Sequence, residues 1–128
     1  NENVFEDSVQ PLLDRDLVQL WDDDAEIDGI IRLETRPGHT PGNAIAILES
    51  GDDRAVFAGD TMHSPIQVFE PTWNAGFDLE ADAAIAARRS VLETCAEHNS
   101  FLLPAHFAAP HVYRVEERGD GLAAVSAI

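Results

Sequence analysis

The stretch Pro37-Gly38-His39-Thr40-Pro41-Gly42-Asn43 limits the fold more than any other part of the chain. Two prolines and two glycines so close together break both helix and ladder, so a loop is forced here. Whatever flanks it must be separate elements. Upstream, Ile27 to Thr35 alternates as a strand, with Ile31, Leu33 and Thr35 on one face. Downstream, Ala44 to Leu48 is a short apolar run that suits a strand buried on both faces. After a turn at Gly51-Asp52-Asp53, Ala55 to Ala58 reads as a second buried strand, stopping at Gly59-Asp60.

Helical patterns bracket these strands. From Val4 to about Leu20, Phe5, Val9, Leu12 and Leu13 predict an amphipathic helix, kinked at Pro11 and ended by Asp22-Asp23-Asp24. Residues 61–78, with Pro65, Pro71, Trp73 and Phe77, predict a long irregular loop, and loops of that length are commonly functional or mobile. Asp78 is placed to N-cap a helix over 79–98, whose stripe of Ala84, Ala87, Val91 and Cys95, flanked by Ile85 and Leu92, would pack on a sheet. Phe101-Leu102-Leu103 predicts a short strand delivering Pro104-Ala105-His106-Phe107. Val112 to Val115 predicts a last strand, and Gly119 to Ile128 a plain tail. Strands alternating with helices around one sheet give an α/β (α+β layered) class.

Charge narrows the partners. The chain carries 24 acidic residues against eight basic ones, all Arg, for a net charge of −16. A nucleic-acid phosphate backbone wants the opposite sign, so nucleic acid is excluded as a partner. No apolar run approaches the roughly 18 residues of a membrane span, so no membrane is expected either. The single Cys95 cannot form an internal disulfide and fits a reducing, cytoplasmic compartment.

Three polar residues stand where a predicted strand stops: His39, Asp60 and His106. A rigid sheet can aim such side chains into one cleft, and imidazole and carboxylate are the groups that bind zinc-like ions at neutral pH. Gly38 and Gly59 precede two of them and permit sharp turns. Taken singly, each is an ordinary loop or turn residue. Their order says more: TRPGHTPGN, then VFAGDTMH, then LLPAHF resembles the second half of the metallo-β-lactamase superfamily, from about Ile27 to Phe107.

That resemblance implies the C-terminal half of an αββα sandwich, a mixed sheet with helices on its outer face. It implies metal ligation by His39, Asp60 and His106, with Asp60 bridging two zinc-type (Zn2+) ions. It further implies a water or hydroxide between them that attacks a lactone, ester or phosphoester bond of a small-molecule substrate. The family's H-x-H-x-D-H motif is absent: the five His are at 39, 63, 98, 106 and 111, and no two are two apart. Residues 1–128 are therefore expected to be the C-terminal part of one domain whose other half is its partner. Alone, the chain should bind metal weakly and be inactive. Half a sandwich leaves apolar surface open, and the face assigned to Ile31, Leu33, Ile45, Ile47, Val56 and Phe57 is expected to drive homo-oligomers.

GDTMHSPIQVFEPTWN is most similar to the lactonase and methyl-parathion-hydrolase branch. There His63 would be a catalytic residue facing substrate or supporting the ligands, with a plain loop His as the alternative. Phe69, Trp73 and Phe77 either wall an apolar pocket or pack the loop. His111 and His98 are expected away from the chemistry, His98 at a helix end. Two other functions remain open: a non-catalytic binding or interaction module of the same fold, and an oxidoreductase or thioester hydrolase sharing the ligands.

Overall fold

In the computed structural model, residues 3–119 and 121–127 are described. Seven strands form one sheet in sequence order: β1 (Asp24–Ile27), β2 (Ile31–Thr35), β3 (Ala44–Ser50), β4 (Asp53–Gly59), β5 (Phe101–Pro104), β6 (Tyr113–Arg118) and β7 (Gly121–Ser126). All neighbours are antiparallel except β4 and β5. A parallel pair needs a crossover. Here that crossover carries the short helix α2 (Ile66–Phe69) and the long helix α3 (Ala81–Glu97). The mixed sheet with a helix on one face matches the expected α/β layering. No helix among the described residues is long and apolar enough to cross a membrane.

The pairing registers sort side chains onto two faces. One face carries Ile45, Ile47, Val56, Leu102 and Val115, buried together with Val91, Leu92 and Cys95 of α3 and with Met62, Val68 and Phe107. The other face carries Ile31, Leu33, Leu48, Phe57, Phe101 and Leu103, all half-buried or exposed. Phe57 keeps 43% of its surface in water and Ile27, on the same face, 45%. The six residues expected on one open face thus divide: Ile45, Ile47 and Val56 lie under α3, while Ile31, Leu33 and Phe57 lie opposite. With alternation of period two, β3 and β4 are covered on one side and uncovered on the other, not buried on both.

Four other expectations change. The predicted strand over 27–35 is a hairpin, because Asp28 and Gly29 both take positive φ (53° and 72°) and turn the chain between β1 and β2. Asp-Gly is a strong signal for such a turn. The helix over 4–20 shrinks to a π-helical turn, Phe5–Val9, and α1 (Gln10–Leu13); neither buries a residue, and Pro11 lacks a donor at the junction. The predicted tail over 119–128 is largely β7, whose Leu122 and Ala124 pack on the core. Asp120 and Ile128 lie outside the described residues. Finally, α3 is capped by Glu80 without a side-chain bond, not by Asp78.

Candidate metal centre

β2, β4 and β5 all end at the same edge of the sheet: Thr35 pairs Ala44, the Gly59 backbone lies against Ala44, and Gly59 pairs Pro104. The loops leaving these three ends carry His39, Asp60 and His106, so parallel β4–β5 and antiparallel β2–β3 aim them into one place. His106 Nε2 lies 2.7 Å from Asp60 Oδ1, and His39 Nε2 lies 3.7 Å from Asp60 Oδ2. Asp60 therefore stands between the two imidazoles, as a shared carboxylate would.

Each arm is held differently. Gly38, at φ 145°, has no room for a side chain: an added Cβ would fall 2.3 Å from the Ala84 backbone N. The loop docks on the start of α3, with Leu79 N–H donating to His39 O and Glu80 N–H to Gly38 O. Asn43 Nδ2 donates to Arg36 O and to Thr61 Oγ1, tying this loop to the residue after Asp60. The His39 side chain is accordingly 18% exposed, against 48% for His106.

His63 falls at the centre of the group. Its ring stacks on His106 at 4.8 Å between centroids, lies 4.9 Å from His39, and meets the edge of Phe77 at 4.7 Å. Burial first, then the imidazoles of His106 and His39, hold its pKa below the ordinary histidine value, with Asp60 and Asp78 pulling the other way. Its buried Nδ1 has no hydrogen-bond partner among the described residues. One ligand atom from each of Asp60, His63 and His106 lies within 4.8 Å of the others, and the same holds for His39, His63 and Asp78. This nitrogen- and oxygen-rich donor set, with an unpartnered imidazole nitrogen inside it, fits a zinc-like cation.

Asp78 is the residue that sequence reasoning misplaced. Its side chain is 1% exposed and accepts a hydrogen bond from His39 Nδ1 at 3.1 Å, from Ala75 N–H at 3.0 Å and from Arg88 Nη2 at 3.3 Å. With its oxygens so engaged it serves His39 rather than standing as a free ligand. Gln67, also overlooked, accepts from the backbone N–H of His63 and Ser64 and donates to Trp73 O. The 61–78 segment is thus pinned at several points. Phe69, Trp73 and Phe77 nonetheless remain more than half exposed.

The remaining histidines stand apart. His111 Nδ1–H donates to Phe107 O, and His98 caps the end of α3 on the surface.

A model described as the metallo-beta-lactamase superfamily matches residues 4–120. Nothing among curated proteins matches. Among solved structures, AidC, a dizinc quorum-quenching lactonase in complex with the product N-hexnoyl-L-homoserine, aligns with TM-score 0.78 at 20% identity, over 98% of this chain and 47% of that one. The hydrolase AbOPH of the beta lactamase superfamily aligns with TM-score 0.82 at 22% identity, over 97% and 43%. A probable metal-dependent hydrolase from Staphylococcus aureus aligns with TM-score 0.76 at 20% identity, over 87% and 40%. At these identities the likeness is one of fold, and the chain spans less than half the length of each.

Proposed function

The chain belongs to the metallo-beta-lactamase superfamily, and from that premise we propose that it supplies half of the metal centre of a hydrolase. The observation carrying this reading is the meeting of His39, Asp60 and His106 at one sheet edge around the unpartnered Nδ1 of His63. In this reading His39, Asp60 and His106 would be the residues that hold two zinc-type ions. Such ions, when bound, activate water and polarise a carbonyl or phosphoryl oxygen. His63 faces the substrate from between the two imidazole arms. Phe77, against both His39 and His63, and the exposed Phe69 and Trp73 give the entrance an apolar wall. A lactone, ester or phosphotriester with an apolar substituent suits that wall; lactonases among the structures of similar fold favour the lactone.

We also read residues 1–128 as the C-terminal part of one sandwich domain. The open sheet face would receive the second sheet, which would bring the other ligands; in its absence, self-association through that face is the expected alternative. The single, buried Cys95 suits a cytoplasmic setting.

Elemental analysis of the intact protein, joined to hydrolysis assays on lactone, ester and phosphotriester panels, tests this reading. About two ions per chain and chelator-sensitive turnover are expected, with Asp60→Asn lowering both. Metal content near zero after loading with zinc would overturn it.

A further inference from the structure

Among the described residues, Arg88 is a fully buried charged group that the site chemistry does not use. Arg88 lies on the inward stripe of α3 beside Ala84, Ala87, Val91 and Leu92, where the pattern asks for an apolar residue, and its side chain is 0% exposed. A guanidinium in that setting destabilises a fold unless its donors are met. Burial lowers its pKa, and only Asp78 pulls it back.

Its donors are met, and they lead to the site from two directions. Nε donates to Thr61 O at 3.2 Å, the carbonyl directly after Asp60. Nη1 donates to Pro71 O at 2.7 Å and Trp73 O at 3.1 Å, holding the loop that carries the aromatic wall. Nη2 donates to Asp78 Oδ2, and Asp78 Oδ1 accepts from His39 Nδ1. A carboxylate can only accept, so this contact requires a proton on His39 Nδ1, which in the neutral imidazole leaves the lone pair on Nε2. Nε2 is the atom that faces Asp60.

We propose that Arg88 and Asp78 are positioning residues: the buried ion pair between Arg88 of α3 and Asp78 of the loop before it fixes His39 as the Nδ1–H tautomer with Nε2 open toward Asp60, and anchors the backbone that follows Asp60. The role of the pair in metal binding rests on the reading under "Proposed function"; the tautomer does not. A helix that merely packs on the sheet would be served as well by an apolar residue at this position.

The test is a long-range proton–nitrogen NMR spectrum of the imidazoles in the intact, metal-free protein, above the ordinary histidine pKa of about 6.5. His39→Ala assigns the signal. His39 is expected as Nδ1–H in the wild type. Asp78→Asn and Arg88→Met should shift it toward Nε2–H and leave His111 unchanged, with Arg88→Lys falling between. Competition between the protein and a chelator for zinc should show a loss of roughly 10–100-fold in affinity for Asp78→Asn, as for other residues that orient a ligand. A wild-type His39 protonated on Nε2, or a tautomer that ignores Asp78→Asn, overturns the proposal even if zinc binds tightly. A tautomer that follows Asp78 in a protein that binds no zinc sustains the pair and overturns the metal reading instead.

Discussion

Leu102 and Leu103 are neighbours in β5 and look out on opposite sides of the same sheet. Leu102 is 0% exposed, beneath α3 with Val56, Val91 and Leu92. Leu103 is only half-buried, in a row with Phe57 and Ala46. Both faces are apolar, so hydrophobicity alone does not separate them; what differs is whether a second layer lies on top. The covered face also carries the supports of the candidate site, since α3 holds Arg88 and seats the His39 loop. The open face carries none of those supports. The supports of the candidate site and the buried core therefore share one side, and the other side lies uncovered.

The strongest way to break the covered side is at Gly38. An added Cβ would meet the Ala84 backbone at 2.3 Å at a φ that L side chains rarely adopt. Overpacking and backbone strain together should cost about 3 kcal/mol or more in Gly38→Ala, out of a total of about 5–15 kcal/mol. Urea unfolding measures it. A variant as stable as the wild type would mean that the loop does not dock on α3.

A matched pair sharpens the contrast between the faces. Leu102→Ala should destabilise by about 2–5 kcal/mol, as for other fully buried leucines. Phe57→Ala, 43% exposed, should cost only about 1 kcal/mol in the 128-residue chain. Should a second sheet cover Phe57 in a longer protein, as proposed above, its cost there should rise to about 3–5 kcal/mol. An equal effect of Phe57→Ala in the two contexts would remove the case for a covering half.

Much of this division is legible in the sequence, but unevenly. Pro37 to Asn43, Gly59-Asp60 and Pro104 to His106 mark strand ends by local chemistry, and they do converge. The helical stripe likewise identifies the face of α3 that packs. Local pattern does not reveal Asp78, because an acid before a helix looks like a cap until the His39 loop is known to lie against it. Local pattern does not reveal the role of Arg88 either: its partners, Thr61, Pro71, Trp73 and Asp78, come from a loop 10 to 27 residues away. The Asp28-Gly29 turn was present in the sequence and outweighed by the alternation running across it. Which face of β3 and β4 is open depends on pairing with β5 and on where α3 crosses, and neither is local.

The smallest effect concerns Cys95, which reports on the covered face without perturbing it. Its side chain is 0% exposed in the core, and burial pushes the thiol pKa up to about 12, against a weak opposing pull from Arg54. The thiolate is the reactive form, so the native protein near neutral pH should resist alkylation. Labelling then requires α3 to lift from the sheet, and its rate measures the population of opened molecules. Leu102→Ala should raise that rate about tenfold for each 1.4 kcal/mol it removes, if α3 and β5 open as one unit. Phe57→Ala in the same chain should change it by less than about tenfold. Rapid labelling of the folded wild type would show instead that the covered face is open too, and the contrast between the two sides of the sheet would not hold.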